Sequence, residues 1–171
     1  MLYDHGICFV TVGTTKFEAL IHEILSPSSQ KALQALGISK LIIQYGAMEK
    51  PSFIPIRSLS IEIFNFEPNI SKRYLSADLI ISHAGAGTVL EVSRLQKHHI
   101  IVGNPLLMDN HQIELMEAMH SRGHCIGVAS ASALRKIFGD TDILSKDILQ
   151  LKPRPKCRES ALFDELLDLI G

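Results

Sequence analysis

Residues 82–91 combine two glycines with a carboxylate one helical turn further along the chain. If the chain passes here from a strand into a helix, Gly85 and Gly87 leave the helix start free of side chains, and its first amides can bind a diphosphate. Glu91 lies about 6 Å of helical rise beyond Gly87, where its carboxylate can accept hydrogen bonds from both hydroxyls of a ribose. Alternatively, the glycines only allow tight strand–helix packing and Glu91 is a solvated helix residue.

A second candidate loop, residues 13–16, begins with Gly13 and carries the hydroxyls of Thr14 and Thr15. Glycine permits a tight turn, and hydroxyls beside helix-start amides suit phosphate oxygens. The loop matches neither GxGxxG nor GxxxxGK[ST], which argues against a dinucleotide fingerprint and against an ATPase P-loop. The alternative is a capped turn with Thr14 or Thr15 as the helix N-cap.

The third candidate is the run Asp109, Asn110, His111 and Gln112. Asp109 and Gln112 satisfy the spacing of a capping box, which needs no ligand. His111 and Gln112 at a helix start beside a ligand crevice could instead bind sugar hydroxyls. We favour a ligand role for these two residues and a capping role for Asp109.

Other chemistries have little support in the sequence. His120 and His124 are four residues apart, but Gly123 interrupts the helix between them, and the adjacent pair His98 and His99 would point to opposite faces of a strand. A metal site is therefore not expected. No GxSxG motif suggests a hydrolase.

Bulk properties favour a soluble domain of a reducing compartment. The three cysteines have no regular spacing, which argues against a disulfide framework. Net charge is −1 with the charges interspersed, so neither nucleic acid nor anionic lipid is an expected partner. No apolar run approaches the roughly 20 residues that span a bilayer, and we expect no secretory signal.

Short apolar runs alternate with segments of helical periodicity. The predicted strands are residues 7–12, 41–45, 60–64, 79–81, 99–102 and 125–128. The predicted helices are residues 17–25, 28–36, 68–76, 86–95, 109–122 and 131–138. This alternation predicts an α/β fold with a doubly wound, mostly parallel, Rossmann-like sheet.

In such sheets the ligand crevice lies beyond the carboxyl ends of the strands. Four segments occupy that position, namely residues 13–16, 65–68, 82–88 and 103–112. Residues 1–138 are predicted to form the ligand-binding α/β domain. Residues 139–171 are predicted to form a connector containing Pro153 and Pro155, followed by an amphipathic terminal helix that docks on a partner or packs on its own core.

Taken together, residues 9–15, 79–87 and 108–112 resemble the cytosolic catalytic subunits of the eukaryotic dolichol-pathway N-acetylglucosaminyltransferase, a family similar to glycosyltransferase family 28. They also resemble the C-terminal, donor-binding half of bacterial GT-B transferases that form lipid II. The three motifs occur in the same order at matching intervals over nearly the whole chain.

The resemblance implies a donor site for UDP-N-acetylglucosamine. His111 and Gln112 stand where the family has two adjacent glutamines that grip the donor sugar, and Glu67 stands where the bacterial relatives read uracil through the main chain. The implied donor-binding residues are Gly13, Thr14, Thr15, Glu67, His83, Gly85, Ala86, Gly87, Thr88, Glu91, Asp109, Asn110, His111 and Gln112.

The implied reaction is an inverting transfer of N-acetylglucosamine to dolichyl-diphosphate-N-acetylglucosamine, without a cofactor or a tightly bound metal. A membrane-anchored partner subunit would supply the acceptor half and hold the chain at the cytosolic face of the endoplasmic reticulum. His83, Asp109 and His111 could act as a base, but in the bacterial relatives this role is attributed to the other half, so none is assigned here. Two alternatives stay open: a non-catalytic nucleotide-binding module, and a complete small transferase or epimerase.

Overall fold

The computed structural model describes residues 1–106 and 110–152. Strands and helices alternate along nearly all of this part. The strands are β1 (Gly6–Thr11), β2 (Ile38–Gln44), β3 (Ser60–Phe64), β4 (Leu79–His83), β5 (His98–Val102) and β6 (Ile126–Val128). The helices are α1 (Glu18–Leu25), α2 (Pro27–Ala35), α3 (Ser71–Ser76), α4 (Ala86–Arg94), α5 (Asn110–Ser121), α6 (Ala131–Phe138) and α7 (Thr141–Leu149).

The six strands form one parallel sheet in the order β3-β2-β1-β4-β5-β6. β1 and β4 are therefore neighbours although two strands separate them in sequence. The chain winds outward from β1 in one direction and, after returning to β4, outward in the other. This order creates a topological switch point between β1 and β4, and it confirms the predicted doubly wound α/β fold.

Each face of the sheet is covered by a different set of helices. Val10 and Ile81 belong to the apolar cluster that includes residues of α1, α2, α6 and α7. Phe9 and Ile80 face the opposite way and pack with Tyr74 of α3 and Val92 of α4. The central strands are thus buried on both sides, which explains why they read as continuous apolar runs rather than alternating ones.

Two element boundaries differ from the sequence prediction. The helix expected from Pro68 begins only at Ser71, so Pro68 lies in the preceding loop. The connector expected after residue 138 contains α7, whose start is capped by the Asp140 side chain accepting a hydrogen bond from the Ile143 amide at 3.0 Å. Leu144 and Ile148 of α7 are buried in the main core, so this helix packs with the predicted binding domain.

The remaining prediction for the chain end, the proline-containing connector and terminal helix at 153–171, lies outside the described residues. Within the ranges that are described, no helix is long and apolar enough to cross a membrane.

A turn at Gly37, just before β2, holds the start of the chain in place. The amides of Leu2 and Tyr3 both donate to the Leu36 carbonyl, at 2.9 and 2.8 Å, and the Gly6 amide donates to the Gly37 carbonyl at 3.0 Å. Gly37 has a φ of +95°, and a Cβ added to it would lie 1.9 Å from the Tyr3 carbonyl oxygen. Only glycine fits where the chain passes from α2 into β2 under this segment.

Replacing Gly37 with alanine is expected to lower the free energy of unfolding by about 2–4 kcal/mol, from backbone strain and displacement of the Tyr3 carbonyl. Chemical denaturation monitored by circular dichroism measures the loss. Gly87→Ala is the matched control, because a Cβ at Gly87 meets no atom within 4 Å. This variant should be unchanged or more stable by up to about 1 kcal/mol. Equal stabilities for the two variants would contradict the steric assignment.

Candidate active site at the β1–β4 switch point

The candidate site lies where β1 and β4 end side by side. The two strands are paired up to Thr11 and Ser82, which are partners in the register. Beyond this pair the chain continues from β1 toward α1 and from β4 toward α4. A crevice between two diverging loops is where open α/β sheets bind their ligands.

The loop after β1 is held by the side chain of the strand's last residue. The Gly13 amide donates to Thr11 Oγ1 at 3.0 Å, and Gly13 adopts a φ of +60°, which glycine accommodates without strain. Thr15 turns back on the loop, since its amide and its hydroxyl donate to the Val12 carbonyl at 3.1 and 2.7 Å. The Thr14 side chain is exposed.

The suggestion that Thr14 or Thr15 caps α1 is wrong. The N-cap of α1 is Phe17, which makes no side-chain capping bond, and the helix begins at Glu18. The Thr15 hydroxyl is committed to the Val12 carbonyl two residues before the cap. The loop therefore contains more residues between β1 and α1 than the sequence pattern indicated.

The glycine turn after β4 leads directly into α4. Gly85 is the N-cap of α4, and among the described residues no side chain caps this helix or places an acidic group in its first turn. Ala86 and Gly87 are exposed. The amide groups of this turn and the positive end of the helix dipole are thus available to an anion.

The two glycines of the turn have different roles. A Cβ on Gly85 would lie 2.3 Å from His83 Nε2, so this glycine is required by close packing against the histidine ring. A Cβ on Gly87 would meet nothing within 4 Å. The packing alternative raised from the sequence therefore accounts for Gly85 but not for Gly87.

The His83 ring sits between the two loops. Its Cε1 lies 3.3 Å from the position of a Cβ on Gly13, and its Nε2 edge faces Gly85. Burial lowers the pKa of His83, an effect that the Thr11 backbone opposes only in part, so the ring is neutral at neutral pH. Nδ1 is buried, and in the described part of the chain no atom satisfies hydrogen-bond geometry with it.

A cleft brings three of the predicted loops together. Thr15 comes from the loop after β1, His83 from the end of β4, and Gln112 from the start of α5. Among the described residues the lining is Thr15, Phe17, His83, Ala84, Asn104 and Gln112. Phe17, Ala84 and Asn104 were not among the predicted site residues, although Ala84 and Asn104 lie in two of the four predicted loops.

Glu91 and Thr88 lie further along α4 and face α3. Glu91 Oε1 accepts a hydrogen bond from the Ser71 hydroxyl at 2.9 Å, and the Glu91 side chain is partly exposed. Burial raises the pKa of Tyr74, and hydrogen bonding with the Thr88 side chain opposes that shift. Glu91 is thus a partly accessible carboxylate on the side of α4 that faces α3.

Glu67 is tied into an ion-pair network rather than into the cleft. Arg73 Nε donates to Glu67 at 2.9 Å and Arg73 Nη1 to Glu62 at 2.8 Å, while Lys40 pairs with Glu62 at 2.9 Å. The hydrogen bond from Lys40 and the charge of Arg73 together lower the pKa of Glu62 despite its partial burial. The Glu67 carboxylate therefore anchors the loop after β3 to Arg73.

Buried polar side chains lie directly beneath both crevice loops. Gln44, Thr11 and Ser82 are register partners across three central strands. Thr11 Oγ1 donates to Gln44 Oε1 at 2.6 Å, and Ser82 Oγ donates to the His83 carbonyl at 2.9 Å. His99 of β5 completes the row by contacting Ser82 Oγ through Nε2 at 2.8 Å.

Thr11 and Gln44 were not among the site residues predicted from the sequence. The available signal was the polar residue that ends each of two otherwise apolar strands. Its meaning depends on strand order, because the two residues become neighbours only when β2 pairs with β1.

Three predicted residues cannot be placed in the cleft. Asp109 lies outside the described residues, and of Asn110 and His111 only their position at the start of α5 is described. The capping box proposed for Asp109 and Gln112 therefore stays a prediction. Among the side chains that are described, no group of three or more His, Cys, Asp and Glu residues could hold a metal ion.

Burial of His99 predicts a pH-dependent stability. Burial lowers the pKa of His99 from its ordinary value of 6.5 to about 3, so the unfolded chain binds a proton at this ring below pH 6.5 while the folded chain does not. The folded state therefore loses stability as the pH falls, by about 2 kcal/mol between pH 7 and pH 5 from this group. Urea unfolding of the parent chain and of His99→Leu at both pH values measures the effect. Equal pH dependence in the two proteins would refute it.

Comparison with known proteins identifies the family. The model of the glycosyltransferase family 28 C-terminal domain matches residues 7–169. The UDP-N-acetylglucosamine transferase subunit ALG13 of Yarrowia lipolytica is 37% identical over 145 residues, covering 82% of this chain and 69% of that protein. The protein of the same name from Homo sapiens is 38% identical over 117 residues, which are 68% of this chain but 10% of the human protein. The chain thus spans about a tenth of the human relative's length.

Solved structures agree with the fold. The solution structure of ALG13 has 25% sequence identity to this chain and a TM-score of 0.70, with 96% of each chain covered. MurG of Acinetobacter baumannii, at 20% identity, shares the fold with a TM-score of 0.64, covering 97% of this chain and 50% of MurG. These likenesses confirm the prediction of a domain equivalent to the C-terminal half of a GT-B enzyme. The family resemblance drawn from the three motifs is confirmed as well: the chain belongs to glycosyltransferase family 28, as a C-terminal domain of that family.

Proposed function

We propose that this chain binds UDP-N-acetylglucosamine and transfers its sugar, with inversion, to dolichyl-diphosphate-N-acetylglucosamine, as the donor-binding subunit of a two-subunit enzyme. The observation that carries the proposal is the cleft at the β1–β4 switch point, which joins Thr15, His83 and Gln112 from three loops. The relatives named as subunits of a UDP-N-acetylglucosamine transferase support the choice of donor.

The diphosphate is placed at the start of α4. The uncapped amides of this turn, the absence of an acidic residue in the first turn and the exposed Gly87 make the helix start a suitable anion site. A neutral His83 beside it can donate one hydrogen bond. The Gly13 loop closes the other side of the cleft.

The nucleoside is placed along α4 toward α3. Glu91 can accept hydrogen bonds from the ribose hydroxyls in place of the hydrogen bond that it now accepts from Ser71. The uracil would then lie near the loop after β3, where the Phe66 amide forms an exposed 2.8 Å bond with Asn65 Oδ1 that a base carbonyl could replace. The pairing of Glu67 with Arg73 fits a main-chain rather than a side-chain contact there.

The sugar is placed against Asn104 and the start of α5, where Gln112 lines the cleft. His111 and Asp109 remain candidate contacts on the same segment. In an inverting displacement the acceptor hydroxyl attacks the anomeric carbon while negative charge develops on the departing UDP. The α4 amides would stabilise that charge, and the base that takes the acceptor's proton is assigned to the partner half.

A partner subunit is proposed because the relatives are named as subunits of a transferase. The domain matches half of MurG, and a GT-B crevice needs a second domain to face the donor. Leu106, just beyond the cleft residue Asn104, is 90% exposed, which fits a rim that a partner covers. The partner would be membrane-anchored and would hold the chain at the cytosolic face of the endoplasmic reticulum.

Glu91→Ala is expected to weaken UDP binding by about 10–100-fold, since a charged hydrogen-bond acceptor contributes about 1.5–3 kcal/mol. Isothermal titration calorimetry with UDP and with 2′-deoxy-UDP separates the ribose contact from general damage. The parent chain should prefer UDP, and the variant should lose most of that preference. Glu117→Ala, an exposed change on α5, is the control. An equal loss of affinity for both nucleotides would show that Glu91 does not contact the ribose.

Transfer of labelled N-acetylglucosamine from UDP-N-acetylglucosamine to dolichyl-diphosphate-N-acetylglucosamine tests the whole proposal. The chain alone should be inactive, and it should become active with membranes from cells that lack their own soluble subunit. Robust transfer by the chain alone would overturn the two-subunit form. UDP binding without any transfer or cellular complementation would instead favour a non-catalytic nucleotide-binding module.

A further inference from the structure

His99 is a buried histidine that the donor site does not use directly. Its side chain is 2% exposed, and burial keeps the ring neutral. It lies one strand away from the crevice, in β5, where its register partner is Ile80 of β4. From there its Nε2 reaches Ser82, two residues further along β4, at 2.8 Å.

The hydrogen-bond directions in this contact are fixed by proton count. Ser82 has one hydroxyl proton, which it donates to the His83 carbonyl at 2.9 Å. Nε2 of His99 must therefore donate to Ser82 Oγ, and the neutral ring carries its single proton on Nε2. The result is a relay from the His99 ring through the Ser82 hydroxyl to the main chain at His83.

The end of this relay is the first peptide of the glycine turn. The carbonyl of His83 and the amide of Ala84 belong to one rigid plane. Holding the carbonyl oxygen therefore orients the next amide and sets the direction in which the chain enters Gly85, the N-cap of α4. On the neighbouring strand Thr11 fixes the other loop in the same manner, by accepting from the Gly13 amide.

We propose that His99 is a positioning residue for the donor diphosphate, acting through Ser82 on the peptide that opens the glycine turn. It touches neither cleft nor ligand, and its contribution is the orientation of the α4 amides. This inference rests on the proposed function, because it assumes that those amides bind a diphosphate.

The test measures UDP affinity of the chain by calorimetry, well below the melting temperature. His99→Leu fills the space without a donor and should weaken UDP binding by about fivefold, as expected for one hydrogen bond. His99→Gln, whose amide can replace Nε2, should bind UDP within about twofold of the parent chain, given the same hydrogen-bond magnitude. Ser82→Ala should also weaken binding, and the double variant Ser82→Ala/His99→Leu should be no weaker than Ser82→Ala alone.

Ile100→Val is the matched structural control. Ile100 is fully buried, adjacent to His99, and belongs to the apolar cluster on the other face of the sheet. This variant should lower the melting temperature without changing UDP affinity. If His99→Leu binds UDP as tightly as the parent chain, or loses no more affinity than Ile100→Val, the positioning role is refuted.

A nucleotide-free measurement separates failure of this inference from failure of the proposed function. If the parent chain binds no UDP, the proposed donor site is refuted. The amide resonances of Ala84 and Gly85 in ¹H–¹⁵N spectra of the nucleotide-free protein then test the hydrogen-bond relay independently of UDP binding. They should shift in His99→Leu and return toward their original positions in His99→Gln, and unchanged resonances in His99→Leu would overturn the relay.

Discussion

Everything at the candidate site depends on two hydroxyls at the ends of two adjacent strands. Thr11 and Ser82 are register partners, and each bonds the main chain near the end of its strand. Thr11 accepts from the Gly13 amide just beyond β1, and Ser82 donates to the carbonyl of His83, the last residue of β4. At a switch point the two chains must diverge to opposite faces of the sheet, so beyond Thr11 and Ser82 the two strands no longer support each other. A buried side-chain bond replaces that support and makes the divergence reproducible.

The same constraint explains the polar row within an otherwise apolar sheet. A buried hydroxyl needs hydrogen-bond partners, and it can both donate and accept. Thr11 does so between Gln44 and Gly13, and Ser82 between His99 and the His83 carbonyl. Gln44 and His99 are thus needed by the strand-end hydroxyls, although neither lines the cleft. The buried polar side chains therefore hold the main chain of the two crevice loops in place.

The site favours an anion mainly because, among the described residues, the start of α4 carries neither a capping side chain nor an acidic residue. No side chain described here caps the helix and no acid occupies its first turn, so its positive end is left for a ligand. The carboxylates nearby are placed elsewhere: Glu67 is engaged by Arg73, and Glu91 lies further along α4. An anionic diphosphate can therefore approach α4 without meeting a carboxylate in its first turn.

The sequence was sufficient to predict the fold class and the three loops, because apolar periodicity and glycine placement act locally. It also identified the family, since ordered motifs such as residues 82–87 keep their spacing. It missed α7 and placed the start of α3 too early, because both depend on where the chain packs against the sheet. The tertiary structure was needed to show that Thr11 and Ser82 are neighbours and that Gly85 is required by the His83 ring. The structure also shows that His99, one of an adjacent pair of histidines, contacts the Ser82 hydroxyl at the start of the glycine turn. Those relations join residues far apart along the chain, and only the pairing order of parallel strands brings them within hydrogen-bonding distance.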